Sequence, residues 1–134
     1  MSLIVDASVA VRWYLPEPGS EEAERILAAG QDLLAPELVI AELGNAVSKR
    51  VRKQEVSSEL AIEIMHEATK AFSGLIPLAG LAPRAMLFAT RYGHSIYDCF
   101  YVALAHEKGG TLVTADRKLA SVAGRCGVAV EVLR

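Results

Sequence analysis

The chain has 134 residues, of which 52% are hydrophobic and 22% charged, and a formal net charge of −2 at pH 7. Length and composition fit one ordinary folded unit spanning 1–134, and they exclude a disordered, repetitive or fibrous protein. Weak acidity excludes broad electrostatic capture by nucleic acid or an anionic membrane, and the longest apolar run, Leu75 to Pro83, is too short to cross a bilayer.

In chain order, Leu3-Ile4-Val5 reads as a short buried strand. No basic segment or signal core precedes it, which predicts a cytoplasmic protein with no membrane association. Ser8 to Leu15 forms a helical turn or two, stopped by Pro16 and Pro18. A helix from Ser20 to Ala29 has acids at its start and Gly30 at its end. Asp32 to Ala35 reads as a second strand, and Pro36 suits the first position of a long helix to about Gln54.

Ser57 to Phe72 is another helix with a serine cap. Gly74 to Leu78 is a short strand, and Pro83 starts a helix that ends near Gly93. Ser95 caps a helix to Lys108, and Gly109-Gly110 break it. Thr111 to Thr114 is a strand, Arg117 to Arg125 a helix and Val128 to Val132 a last strand. Strands separated by helices predict a three-layer α/β/α sandwich around a short, mostly parallel central sheet.

Four acids stand where an acid is costly unless something binds it. Asp6 and Asp116 each end an apolar strand at a strand-to-helix junction, the edge where such sheets bind ligands. Glu42 interrupts a long apolar helix, on a stripe with Leu38, Asn45 and Lys49. Asp98 lies in the first turn of its helix, on a face with Val102 and Ala105. Each also has a structural explanation. Asp6 and Asp116 suit helix caps, Ser95 to Asp98 suits a capping box, and Glu42 suits a wet helix face. If the fold gathers all four, the pocket needs a divalent cation and points to phosphodiester chemistry. Setting the four aside changes the formal charge from −2 to +2, so net charge does not exclude an RNA substrate.

Four segments together resemble PIN-domain ribonucleases, and most closely the VapC-type toxins of toxin–antitoxin pairs. They are Ile4-Val5-Asp6-Ala7-Ser8-Val9, Ala41-Glu42-Leu43-Gly44-Asn45-Ala46, Tyr97-Asp98-Cys99-Phe100-Tyr101-Val102-Ala103-Leu104-Ala105 and Leu112-Val113-Thr114-Ala115-Asp116. The resemblance implies a PIN-like fold in which Asp6, Glu42, Asp98 and Asp116 hold one or two Mg²⁺ or Mn²⁺ ions. It implies RNA hydrolysis that leaves a 5′-phosphate. It also implies a homodimer and a small antitoxin whose tail occupies the acidic groove, for which the helices Pro36 to Gln54 and Ser57 to Phe72 offer apolar surface.

Around the acids, Ser8 and Thr114 either orient a carboxylate or a bound water, or only bond local backbone. Asn45 is a candidate to touch substrate or orient Glu42. Lys49, Arg52 and Lys53 either track phosphates or complement a helix C-terminus. Arg12 and Trp13 could meet a phosphate and a base, although a lone Trp by a short helix more often packs. His66, His94 and His106 lack zinc spacing and are assigned to surface or capping roles. Cys99 and Cys126 lack metal or redox spacing and read as buried, reduced thiols.

Rival functions fit less well. A receiver-like signalling module needs an acid after the central strand, and Gly74 to Ala82 has none. A haloacid dehalogenase-type phosphatase needs an acid two residues after the first, where this chain has Ser8. A PIN-domain RNA-processing nuclease without an antitoxin remains the nearest alternative to a toxin.

Overall fold

Apolar runs of three or four residues, too short for helices, become the strands of one sheet. The structure, a computed structural model, describes residues 2–133. Met1 and Arg134, the ends of the expected 1–134 unit, lie outside the described residues. In order come β1 (Leu3–Val5), α1 (Ala7–Tyr14), α2 (Ser20–Ala28), β2 (Leu33–Pro36), α3 (Leu38–Arg52) and α4 (Ser58–Ala71). Then follow β3 (Gly74–Ile76), α5 (Ala82–Tyr92), α6 (Ile96–Lys108), β4 (Thr111–Thr114), α7 (Arg117–Arg125) and β5 (Ala129–Val132).

The sheet order is β3-β2-β1-β4-β5, and every pairing is parallel. Right-handed crossovers therefore put α1 to α4 over one face and α5 to α7 over the other, giving the expected three layers. The chain leaves β1 toward β2 but leaves β4 toward β5. That divergence makes the gap above β1 and β4 the natural ligand crevice.

The core follows from the sheet's two covered faces. Ile4, Val5, Leu112 and Val113 are fully buried, as are Val102, Ala103 and Leu104 of α6. Each such aliphatic side chain contributes about 1.5–3 kcal/mol of hydrophobic stabilisation. A second cluster, Val11, Leu15, Leu43, Val47, Ile64 and Ala68, joins α1, α3 and α4. Among the described residues no helix is long and apolar enough to cross a membrane.

Two expected boundaries need correction. Pro36 ends β2 instead of opening α3, pairing with Ile76 of β3, while Glu37 takes the N-cap position. Pairing with β1 stops at Leu34, so the proline's missing N–H faces no strand there. The long helix also stops before Gln54, which adopts a left-handed φ of 62°. Ser57 and Ser95 cap α4 and α6 as their sequence positions predict.

Gly110 marks the tightest crossing. A Cβ built there would lie 2.6 Å from Ile4 Cδ1 and 2.8 Å from the Ser2 carbonyl oxygen. Backbone cannot yield as a flexible side chain can. Gly110→Ala should therefore destabilise the protein by about 1–3 kcal/mol, read as a lowered denaturant midpoint. An unchanged midpoint would refute this packing account.

Candidate active site

Asp6 leaves β1 at the crevice and is buried, with 5% exposure. Its Oδ1 accepts from the Val9 amide (3.2 Å), which caps α1, and from the Ser8 hydroxyl (2.6 Å). Its Oδ2 accepts from the Thr114 hydroxyl at the end of β4. The two hydroxyls in turn accept from backbone: Ser8 Oγ from the Ala115 amide and Thr114 Oγ1 from the Asp116 amide, both at 3.0 Å. Capping and site-building are therefore one structure at Asp6. Burial pushes its pKa up to about 6, even though these hydrogen bonds pull it down, and the charge of Asp98 adds to the rise.

Glu42 stands half-buried just past the first turn of α3. The buried Tyr101 hydroxyl donates to its Oε1 at 2.5 Å. Burial raises its pKa, the Tyr101 bond opposes this, and Asp98 raises it further. Asp98 makes no capping box: the Ser95 hydroxyl caps α6 through the Tyr97 amide, while Asp98 Oδ2 lies 2.8 Å from His94 Nε2. Asp98 thus acts electrostatically on both Asp6 and Glu42, and these three acids share one field.

Asp116 is more peripheral. It is exposed, and its Oδ1 caps α7 through the amides of Lys118 (2.9 Å) and Leu119 (3.3 Å). It connects to Asp6 through Thr114. Among the described residues, no three His, Cys, Asp or Glu side chains stand close enough to hold a metal ion as they are. Among the described residues no Lys or Arg pairs with any of the four acids; their ionisable side-chain partners are His94 on Asp98 and the Tyr101 phenol on Glu42. Hard carboxylate oxygens without a protein cation suit an oxygen-seeking divalent ion.

The outer candidates divide. Asn45 and Lys49 are exposed on the stripe leading away from Glu42. Trp13 is buried: its Nε1 donates to the Ala23 carbonyl (2.9 Å) and its ring packs 5.5 Å from that of Phe72. It serves the core and offers no face to a base, because α2 covers it. Arg12 is also committed, donating to the Ser8 and Pro18 carbonyls beside Glu17. It braces the α1–α2 connection instead of waiting for a phosphate.

Two site residues escape local sequence reasoning. Tyr101 sits three residues after Asp98, on the inward side of α6, and that spacing is its only signal. His94, assigned above to a surface or capping role, has a side chain 16% exposed and bonds Asp98. His66 and His106 are exposed as expected. Cys99 is buried and Cys126 half-buried, both as free thiols. Burial pushes the Cys99 pKa up to about 11, away from reactivity.

A family model described as PIN domain matches residues 3–125. Ribonuclease VapC3 of Pyrobaculum aerophilum is 36% identical over 122 residues, covering 90% of this chain and 93% of its own. Among solved structures, PAE2754 from Pyrobaculum aerophilum superposes with a TM-score of 0.73 at 25% identity, covering 91% of this chain and 87% of its own. VapBC2 from Rickettsia felis, bound to a DNA fragment from their promoter, gives 0.74 at 15% identity and covers 100% of both chains.

Two predictions follow from the geometry. Asn caps a helix about as well as Asp, so Asp116→Asn should leave metal-free stability nearly unchanged, whereas Asp116→Ala should cost about 1 kcal/mol; equal melting temperatures for the two would contradict the cap. Asp6 rises from 3.8 to about 6 on folding. Between those values the folded protein holds a proton that the unfolded chain has lost. Its contribution to metal-free stability is therefore full below pH 4 and declines toward pH 6, by at most about 3 kcal/mol. Asp6→Asn should remove that decline, as measured by denaturant unfolding across the window.

Proposed function

The chain belongs to the PIN domain family, and on that premise we propose that it is a metal-dependent endoribonuclease, the toxin of a VapC-type toxin–antitoxin pair. The observation that carries this reading is the uncompensated charge at the carboxyl edge of β1 and β4. Asp98 acts there on both Asp6 and Glu42, and among the described residues no Lys or Arg neutralises them. The cation must come from outside the chain.

Asp6, Glu42 and Asp98 would hold Mg²⁺ or Mn²⁺, and Asp116 would complete the set from the start of α7. The bound ion supplies Lewis acidity toward water and phosphate oxygens. Ser8 and Thr114 keep both Asp6 oxygens oriented, so the acid least able to leave the site anchors the rest. Asn45 and Lys49, both exposed, would meet the RNA strand. Water adds to phosphorus, the bond to the ribose 3′ oxygen breaks, and that oxygen takes up a proton. The products carry a 5′-phosphate and a 3′-hydroxyl.

The same charge that attracts a metal suits a basic side chain from an antitoxin tail, which would block the site by occupying it. The reading includes a homodimer, a cytoplasmic location and one PIN-like domain over 1–134. The Rickettsia felis VapBC2 structure shares this fold, which supports the partner assignment.

The test is cleavage of cellular RNA by purified protein with Mg²⁺ or Mn²⁺, with mapping of the new ends. Cleavage should stop on chelation and leave 5′-phosphates. Asp98→Asn should lower the rate at least about a hundredfold, more than loss of an outer hydrogen-bond partner costs, and leave the metal-free fold as stable or more stable. Full activity in excess chelator would exclude the mechanism.

A further inference from the structure

Two side-chain hydrogen bonds at this edge belong to no cap and no sheet ladder: Tyr101 to Glu42, and His94 to Asp98. Resting on the metal-binding role proposed for these acids, we infer that Tyr101 and His94 are positioning residues that fix Glu42 and Asp98 before a metal arrives. Each donor takes one oxygen of its acid. Glu42 Oε2 and Asp98 Oδ1 accept no hydrogen bond from any described side chain or backbone group.

Tyr101 is 1% exposed, so its ring is set by the core. A buried phenol needs an acceptor. This one reaches across 59 positions of sequence to Glu42 on α3. The bond does not hold its own helix or cap; its result is one rotamer of a half-buried acid. A Phe would fill the same core space and release that acid.

His94 is pinned from both sides. Gly93 ends α5 with a left-handed φ of 61°, the His94 amide bonds back to the Ala89 carbonyl at 3.1 Å, and Ser95 caps α6. A carboxylate only accepts, so Nε2 is the donor to Asp98.

The two devices share α6. That helix carries Asp98 itself and, about one turn later, the Tyr101 donor that fixes Glu42. One rigid element thus sets two of the three mutually repelling acids, and hydroxyls at β1 and β4 set the third. Removing partners that orient metal-binding groups lowers metal affinity about 10–100-fold in comparable sites. A donor that served only folding would show in thermal stability and leave metal affinity alone.

The experiment is Mn²⁺ titration of the purified full chain by calorimetry, beside melting curves without metal. Tyr101→Phe and His94→Ala should each weaken Mn²⁺ binding about 10–100-fold. His94→Gln, which keeps an N–H donor, should recover most of the loss, and His106→Gln, at an exposed position outside the site, should bind like the parent. Parental affinity in both Tyr101→Phe and His94→Ala would overturn the proposal while leaving the nuclease reading intact. Equal losses in His94→Gln and His94→Ala would overturn it for His94, because shape and not donation would then matter. A parent protein that binds no Mn²⁺ would overturn the nuclease reading and this one with it.

Discussion

The structure turns on one buried carboxylate. Asp6 joins the two central strands through side chains: Ser8 from the β1 side and Thr114 from the β4 side donate to its two oxygens. Backbone amides at Ala115 and Asp116 complete the knot by donating to the same hydroxyls. Hydrogen bonds to a charged acceptor are worth roughly 1.5–3 kcal/mol each, and burial of the charge offsets much of that. The net gain is modest. What the knot secures is geometry, because α1, α7 and the β1–β4 gap all take their positions from it.

A carboxylate that accepts three directed hydrogen bonds and has no counter-charge departs from ordinary folding economy. A structural role for Asp6 would be met as well by Asn or Ser, both good caps without a burial penalty. The chain instead carries an acid whose ionised form the fold disfavours, beside Asp98, which disfavours it further. Residues that lower stability without serving packing mark places where something else supplies the missing free energy. A bound cation does so by linkage, stabilising the state that binds it.

Local signals carried most of the fold. Leu3-Ile4-Val5 and Thr111 to Thr114 were legible as strands because unbroken apolar runs between turn signals have few other outcomes. Ser57 and Ser95 were legible as caps because a hydroxyl before an apolar-periodic segment acts on its own next residues. Pro36 misled, since a proline opens a helix or ends a strand depending on whether a neighbour needs its N–H. That depends on β1 pairing no further than Leu34, which is tertiary information. Trp13 packs, as a lone Trp by a short helix more often does, against α2, which begins beyond the intervening prolines. The acids stand at strand ends and helix starts that can be read locally; Tyr101 could not be read that way, since a bond spanning 59 residues leaves no local trace, and the four-residue spacing of His94 and Asp98 does not by itself say that they bond.

Helix ends supply the last constraint on what the site can hold. Asp6 caps α1, Asp116 caps α7 and Asp98 sits in the first turn of α6. Each helix N-terminus presents the equivalent of about half a positive charge. Three such ends offset about one and a half of the four negative charges, counting Glu42. The remainder, roughly two and a half, is more than one hydrogen-bonded histidine neutralises and close to what a divalent ion brings. The size of the deficit explains why a monovalent ion or a lone lysine would leave the crevice charged, and why carboxylates rather than amides occupy the helix starts.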